Sequence, residues 1–235
     1  VKGSNYKNYR DAGNPRTTAR AHNHQGADEL LVMDIMASKE RRGPLLNTIR
    51  EIAEECFMPL CVGGGIRNSD DAIACMDVGA DKLCITSQAI DRPELVTELA
   101  RRFGSQAVVV GVDVIYDRNG ILRLYDHRKA LTIEHSDPFQ WALTMTDMGC
   151  GEIRLMSVDR EGSLQGYDLD LYQKMRKLLN VPIILEGGAG SLDHLEAAFK
   201  AGVDGIALGR MLVFSDSNLV KIKQHMKTHK CNIRG

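Results

Sequence analysis

The sequence matches itself, without gaps, when slid by 123 residues, the interval from Pro15 to Pro138. Under that shift Ala19 falls on Ala142, Gly26 on Gly149, Glu29 on Glu152 and Met33 on Met156. Further along, Pro59 falls on Pro182, Gly64 and Gly65 on Gly187 and Gly188, Asp70 on Asp193, Gly79 on Gly202 and Asp81 on Asp204. One constant offset over so many positions implies two related halves that repeat the same run of elements. Short apolar stretches alternate with amphipathic ones in both halves, which is the α/β signal. Strands are expected over 29–35, 59–62, 82–86, 107–114, 152–157, 182–185 and 205–208. They are short and apolar, as strands covered on both faces should be. Helices are expected near Pro15 and over 45–56, 69–78, 93–103, 138–148, 169–179, 192–201 and 218–228. Pro93 and Pro138 suit a first helical turn, and Ser69 suits an N-cap. Residues 116–125 carry Asp117-Arg118-Asn119-Gly120 between apolar flanks and read as a β-hairpin inserted after a strand.

Alternation alone would also fit an open doubly wound sheet, but such a sheet does not predict a constant internal offset. A (β/α)8 barrel made of two half-barrels does. The expectation is therefore α/β: one (β/α)8 TIM-barrel domain over 1–235, with halves of about 1–105 and 106–235. The 235 residues suit a single barrel domain. The second half has a strand, 107–114, ahead of the helix that starts at Pro138. The first half has only residues 1–3 and a loop ahead of Pro15. The repeat mate of Asp113 would lie before residue 1, so a first strand is expected upstream of this sequence.

Composition excludes several function classes. Hydrophobic residues make up 43% and charged residues 26%, the range of soluble globular proteins. A net charge of −1 supplies no broad basic field for nucleic acid or an anionic membrane. No apolar run approaches the roughly 20 residues that span a bilayer. The opening VKGSNYKNYR reads as neither signal nor transit peptide, and a cytoplasmic protein is expected. None of the six cysteines forms a CxxC pair, and most sit in apolar patterns, where reduced Cys acts as a small hydrophobe.

Two glycine loops follow strands, Gly63-Gly64-Gly65 and Gly187-Gly188-Ala189-Gly190. Glycine lets backbone N–H groups approach an anion, and a following helix N-terminus favours negative charge. Such loops also simply turn the chain, but two at repeat-related positions on one barrel mouth suit a ligand with a phosphate at each end. Thr86-Ser87 and Gly209-Arg210 are the strand-end segments that complete the two sites. Asp113 ends the strand AVVVGVD and is a candidate general acid or base, with a structural carboxylate as the plainer option. Asp34 is a weaker candidate of the same kind. The loop 157–162 either contacts ligand or caps itself. Glu29, Lys82 and Glu152 sit at the opposite strand ends, where charge ordinarily serves stability. The seven histidines show no metal-ligand spacing near a carboxylate, so no catalytic metal is expected.

The segments FMPLCVGGGIRNSDDA, GADKLCITSQAI, FGSQAVVVGVDV, GCGEIRLMSVDREGSLQGYD and PIILEGGAGSLDH, with VKGSNYKNYRDAGNP at the start, resemble the cyclase subunit of imidazole glycerol phosphate synthase along essentially the whole chain. The resemblance implies a heterodimer with a glutaminase subunit and no cofactor. Ammonia released by the partner enters the bottom of the barrel and passes through its interior. At the top it attacks a bisphosphorylated ribulosyl intermediate in histidine biosynthesis. Two aspartates act as acid and base; Asp113 matches one, and the other belongs to the first strand. By the same resemblance, Gly65, Thr86 and Ser87 match one phosphate site, and Glu161, Gly162, Gly188, Gly209 and Arg210 match the other. Glu29, Lys82 and Glu152 match members of the ring that gates ammonia, and Asp81 a residue facing the partner. Several positions depart from the pattern: Thr86-Ser87 for Asn-Thr, Glu161 for Asp, Glu186 for a small residue, Arg210 for Ser, and the loop 126–132 for one carrying Thr-Gly. Glu186 would repel a phosphate unless Arg210 neutralises it or binds the anion directly. The stretch 55–61 also resembles a paralogous branch that delivers ammonia for sugar amidation in surface-polysaccharide synthesis.

Overall fold

In a computed structural model, described over residues 2–4, 7–11 and 13–234, the repeat appears as repeated hydrogen-bond register. The first half contains α1 (Pro15–His24), β3 (Leu30–Met33), α2 (Leu46–Ala53), β4 (Leu60–Gly63), α3 (Ser69–Asp77), β5 (Lys82–Ile85), α4 (Ser87–Asp91) and α5 (Glu94–Phe103). These follow a short antiparallel pair, β1 (Lys2–Ser4) and β2 (Lys7–Arg10), where the sequence suggested a loop. The second half contains β6 (Val108–Tyr116), β7 (Leu122–Asp126), β8 (Leu131–Thr132), α6 (Pro138–Asp147), β9 (Glu152–Ser157), α7 (Leu169–Arg176), β10 (Ile183–Glu186), α8 (Leu192–Lys200), β11 (Gly205–Ile206), α9 (Arg210–Phe214) and α10 (Leu219–Thr228).

The order β11-β10-β9-β6-β5-β4-β3 is parallel throughout and forms the curled sheet of a (β/α)8 barrel. In the first half Leu30 pairs with Leu60 and Val32 with Val62; in the second, their mates Ile153 and Leu155 pair with Ile183 and Leu185. Cys61 pairs with Lys82 as Ile184 pairs with Gly205. Helix starts repeat too. Asn14 caps α1 through the N–H groups of Arg16 and Thr17, and its mate Asp137 caps α6 through those of Phe139 and Gln140. The N–H of Leu60 donates to Asp81 Oδ2, and that of Ile183 to Asp204 Oδ2. The N-cap of α3 is Asn68, one residue before the expected Ser69; its side chain accepts from Asp71 N as its mate Ser191 accepts from His194 N. Pro93 is likewise the cap of α5 rather than its first residue.

Side chains alternate between two cores, as strand geometry requires. Leu60, Val62, Leu83, Ile85, Val108 and Val110 face the helical layer and join the large cluster with Ile49, Ala72, Leu95 and Leu99. The intervening Cys61, Cys84 and Val109 form a separate buried cluster with Leu31 and Met33, inside the barrel. The cysteines are unpaired, and burial pushes thiols upward, Cys84 to about 11 and Cys75 to about 12. They are neutral packing residues. Strand β6 runs on past the barrel into the expected hairpin: Val114 pairs with Leu124 and Tyr116 with Leu122, and β7 then pairs with β8.

Candidate active site at the strand ends

Asp113 lies near the carboxyl end of β6 and is buried. Its Oδ1 accepts from Arg154 Nη2 at 2.5 Å, and its Oδ2 lies 2.5 Å from His127 Nε2. Arg154 also donates through Nη1 to Glu186 Oε2 at 2.9 Å. Arg154 and Glu186 come from the neighbouring strands β9 and β10 and His127 from the loop after β7, so four charged or titratable groups from three strands and a loop meet at the mouth. Burial works to raise the Asp113 pKa, but the charges and hydrogen bonds of Arg154 and His127 outweigh it and hold the carboxyl below its ordinary value. Asp113 is therefore ionised at neutral pH. Its folded pKa is depressed, so the network contributes stability that is fully present above the unfolded carboxylate value of about 3.9 and is lost as pH falls through the lower folded value. The urea stability gap between the wild type and Asp113→Asn should accordingly be large at neutral pH and narrow in acid. A gap independent of pH would show that Asp113 is not held ionised by its partners.

The departing loop has a structural logic. Asp126 is buried and accepts from the N–H, Nε and Nη2 of Arg128, at 2.9, 3.0 and 2.8 Å. Arg128 also pairs with Asp91 at the end of α4. Pinned on both sides, the loop presents His127 to Asp113, with the ring edge-on to Tyr125 at 4.8 Å. No role follows for His127 or Arg154 from motif reading. Arg154 stands in the apolar run EIRLMS; its one signal is that it shares the inward face of β9 with Glu152, two residues earlier.

The second predicted phosphate set is brought together. Glu161, Gly162, Gly188, Gly209 and Arg210 line one pocket, along with Met156, Glu186 and Gly187. Arg210 donates to the carbonyl of Gly162. Gly188 has φ +106°, and a Cβ there would sit 2.0 Å from the carbonyl oxygen of Gly166, so no other residue fits. Gly65, Thr86 and Ser87 occupy the repeat-related positions. Gly65 packs on Gly43 as Gly188 packs on Gly166, and Thr86 and Gly209 are the caps of the short helices α4 and α9. Asp34 is committed elsewhere: Arg42 grips both its oxygens, and it also accepts from the N–H groups of Met36 and Ala37.

At the opposite strand ends, Lys82 Nζ lies 2.6 Å from Glu29 Oε2 and 2.9 Å from Glu152 Oε2. Burial works to lower the Lys82 pKa, but the two carboxylates outweigh it and raise it; burial raises that of Glu29. Asp81 belongs to the neighbouring turn and secures the start of β4. Glu196 of α8 stands against His225 and His229 of the last helix, a grouping of histidines and carboxylate that only the fold brings together.

A twofold (β/α)8 barrel with a glycine-lined pocket and a buried carboxylate at its strand ends defines a barrel protein built for chemistry in its loops. The chain belongs to the histidine biosynthesis protein family, whose model matches residues 1–218. It is 40% identical to the imidazole glycerol phosphate synthase subunit HisF of Streptomyces avermitilis over 229 residues, 97% of this chain and 90% of that one. Its identity to the HisF subunit of Alkaliphilus metalliredigens is 40% over 237 residues, and to that of Corynebacterium glutamicum (strain R) 36% over 240, each covering 100% of this chain and 93% of the relative.

Proposed function

We propose that the chain is the cyclase subunit of imidazole glycerol phosphate synthase, acting in histidine biosynthesis with a glutaminase subunit. The observation that carries this reading is near full-length kinship with HisF subunits, combined with the pocket lined by Glu186, Gly188, Gly209 and Arg210, whose Glu186 is joined through Arg154 to Asp113. In this reading ammonia enters past Glu29, Lys82 and Glu152 and moves along the inner cluster of Cys61, Cys84 and Val109. It then attacks a bisphosphorylated ribulosyl aminoimidazole carboxamide intermediate. Arg210 and the glycine N–H groups hold one phosphate; Gly65, Thr86 and Ser87 hold the other. Asp113, ionised at rest, is the base, and His127 is placed to exchange a proton with it. Asp81 faces the partner. A cytoplasmic setting, where thiols stay reduced, goes with this assignment; among the described residues no helix is long and apolar enough to cross a membrane.

The test is ammonia-dependent turnover of that intermediate, measured by release of imidazole glycerol phosphate. Turnover is expected; its absence in the chain paired with its native glutaminase would sink the assignment. Lys82→Met should reduce glutamine-dependent turnover and leave ammonia-dependent turnover in place, because the ring controls entry and not chemistry. Equal loss of both would remove the gating role.

The alternative raised by the stretch 55–61, an ammonia-delivering paralogue of sugar amidation, is not favoured by the relatives, which are named as HisF subunits. Glutamine-dependent ammonia release without cyclase turnover, restored to use by a sugar amidotransferase, is the outcome that selects it.

A further inference from the structure

We propose a second, independent site: a divalent transition-metal site, zinc above all, formed by Glu196, His225 and His229 between α8 and α10. Their ligand atoms all lie within 4.8 Å of one another. Glu196 Oε2 is 3.5 Å from His225 Nε2 and 4.0 Å from His229 Nε2. Ligands about 2.0–2.2 Å from a tetrahedral zinc stand roughly 3.3 Å from each other, so closure draws the ligand atoms together by up to about 1.5 Å, within reach of side-chain rotation.

Three features prepare the atoms for a cation. First, His229 Nδ1 lies 2.9 Å from the carbonyl oxygen of His225. A carbonyl only accepts, so Nδ1 carries a proton, and in the neutral ring the lone pair is on Nε2, the arrangement that orients metal-bound histidines. Second, His225 Nε2 is shut off from solvent and has no hydrogen-bond partner among the described residues; the 3.5 Å to Glu196 is longer than a good N–H···O bond. A buried ring nitrogen without a partner is costly unless something else satisfies it. Third, the two imidazoles, His225 in the last turn of α10 and His229 at its C-cap, are four residues apart, with ring centroids 4.0 Å from each other. Lys200 pairs with Glu196 through Oε1, the oxygen not facing the imidazoles.

The site is no relic of the repeat. The mates of Glu196, His225 and His229 are Ile73, Arg102 and Gln106, which cannot form a site of this kind. Its effect would be mechanical. Helix α10 packs by Ile222 and Met226, and it reaches the first half through Leu219 N to Gln25 Oε1 and Lys223 Nζ to Asp28. A metal joining it to α8 clasps the last helix to the second half. The coordination leaves room for water or a fourth ligand, and imidazole with carboxylate suits zinc, cobalt and nickel over magnesium or calcium.

The test uses tag-free protein, stripped by chelator and titrated with zinc chloride by calorimetry, and with cobalt(II) by visible absorption. One equivalent is expected, with the intense d–d bands of a low-coordinate cobalt site and a raised Tm in the presence of zinc. His225→Ala, His229→Ala and the near-isosteric Glu196→Gln should each weaken binding by at least about tenfold. Absence of stoichiometric uptake overturns the proposal. So does uptake unchanged in the His225→Ala/His229→Ala variant, which would place the metal on other groups such as the cysteines. If an alanine variant fails to fold, Glu196→Gln alone decides. None of these readouts depends on the cyclase assignment.

Discussion

Arg154→Leu is expected to destabilise the protein by about 3–5 kcal/mol, among the largest effects of any single substitution in this chain. The guanidinium is buried and neutralises two carboxylates, Asp113 at 2.5 Å and Glu186 at 2.9 Å. Removing it leaves negative charge facing negative charge in a site that water hardly reaches, and His127 answers only one of them. The carboxyl of Asp113 would then rise toward and beyond its ordinary value, since burial would act with less opposition. A second substitution isolates the cause. Arg154→Leu combined with Glu186→Ser removes one of the stranded charges and should regain a substantial part of the loss. Urea unfolding at neutral pH measures both. A single variant as stable as the wild type would mean that the network holds nothing together; a double variant no better than the single would mean that the loss is one of packing alone.

The second large effect concerns turnover. Asp113→Asn keeps the shape of the side chain and its capacity to accept from Arg154, but it cannot take up a proton. Ammonia-dependent cyclisation should fall by about 10²–10⁴-fold, the usual contribution of a positioned acid or base, while the circular dichroism spectrum is retained. Assaying with saturating ammonia separates this from any fault in delivery. Retained turnover would remove Asp113 from the mechanism. His127→Asn should produce a smaller loss and move the pH profile, because it withdraws both a proton carrier and part of the field that keeps Asp113 ionised.

The barrel was legible because it is written twice. The offset between Pro15 and Pro138 implies two equivalent halves, and the register repeats accordingly, Leu30 with Leu60 in one and Ile153 with Ile183 in the other. Strand ends were less legible: Pro59 and Pro182 have no N–H to donate and contribute only their carbonyls, to Leu30 N and Ile153 N, and the strands begin at Leu60 and Ile183. In the site, the residues that form the second-half pocket could be read from their pattern because glycine spacing and strand ends are local signals. The network around Asp113 could not. Arg154 becomes meaningful only when β9 is laid beside β6 and β10, and His127 only when its loop is pinned by Arg128. The Glu196 cluster shows the same limit, since its carboxylate and histidines sit on different helices.

The repeat has one further consequence, which comes from where it fails. The mates of Arg154 and Glu186 are Leu31 and Gly63. Leu31 packs in the inner apolar cluster, and a Cβ at Gly63 would meet the Met33 sulfur at 2.4 Å. At these two inward positions one half of the barrel is thus ionic and the other apolar, although the backbone frame is twofold. An evenly symmetric cradle would accept a two-ended anion in either orientation, and half of the encounters would be unproductive. The lopsided field would make the two orientations of the proposed two-ended anion unequal in energy.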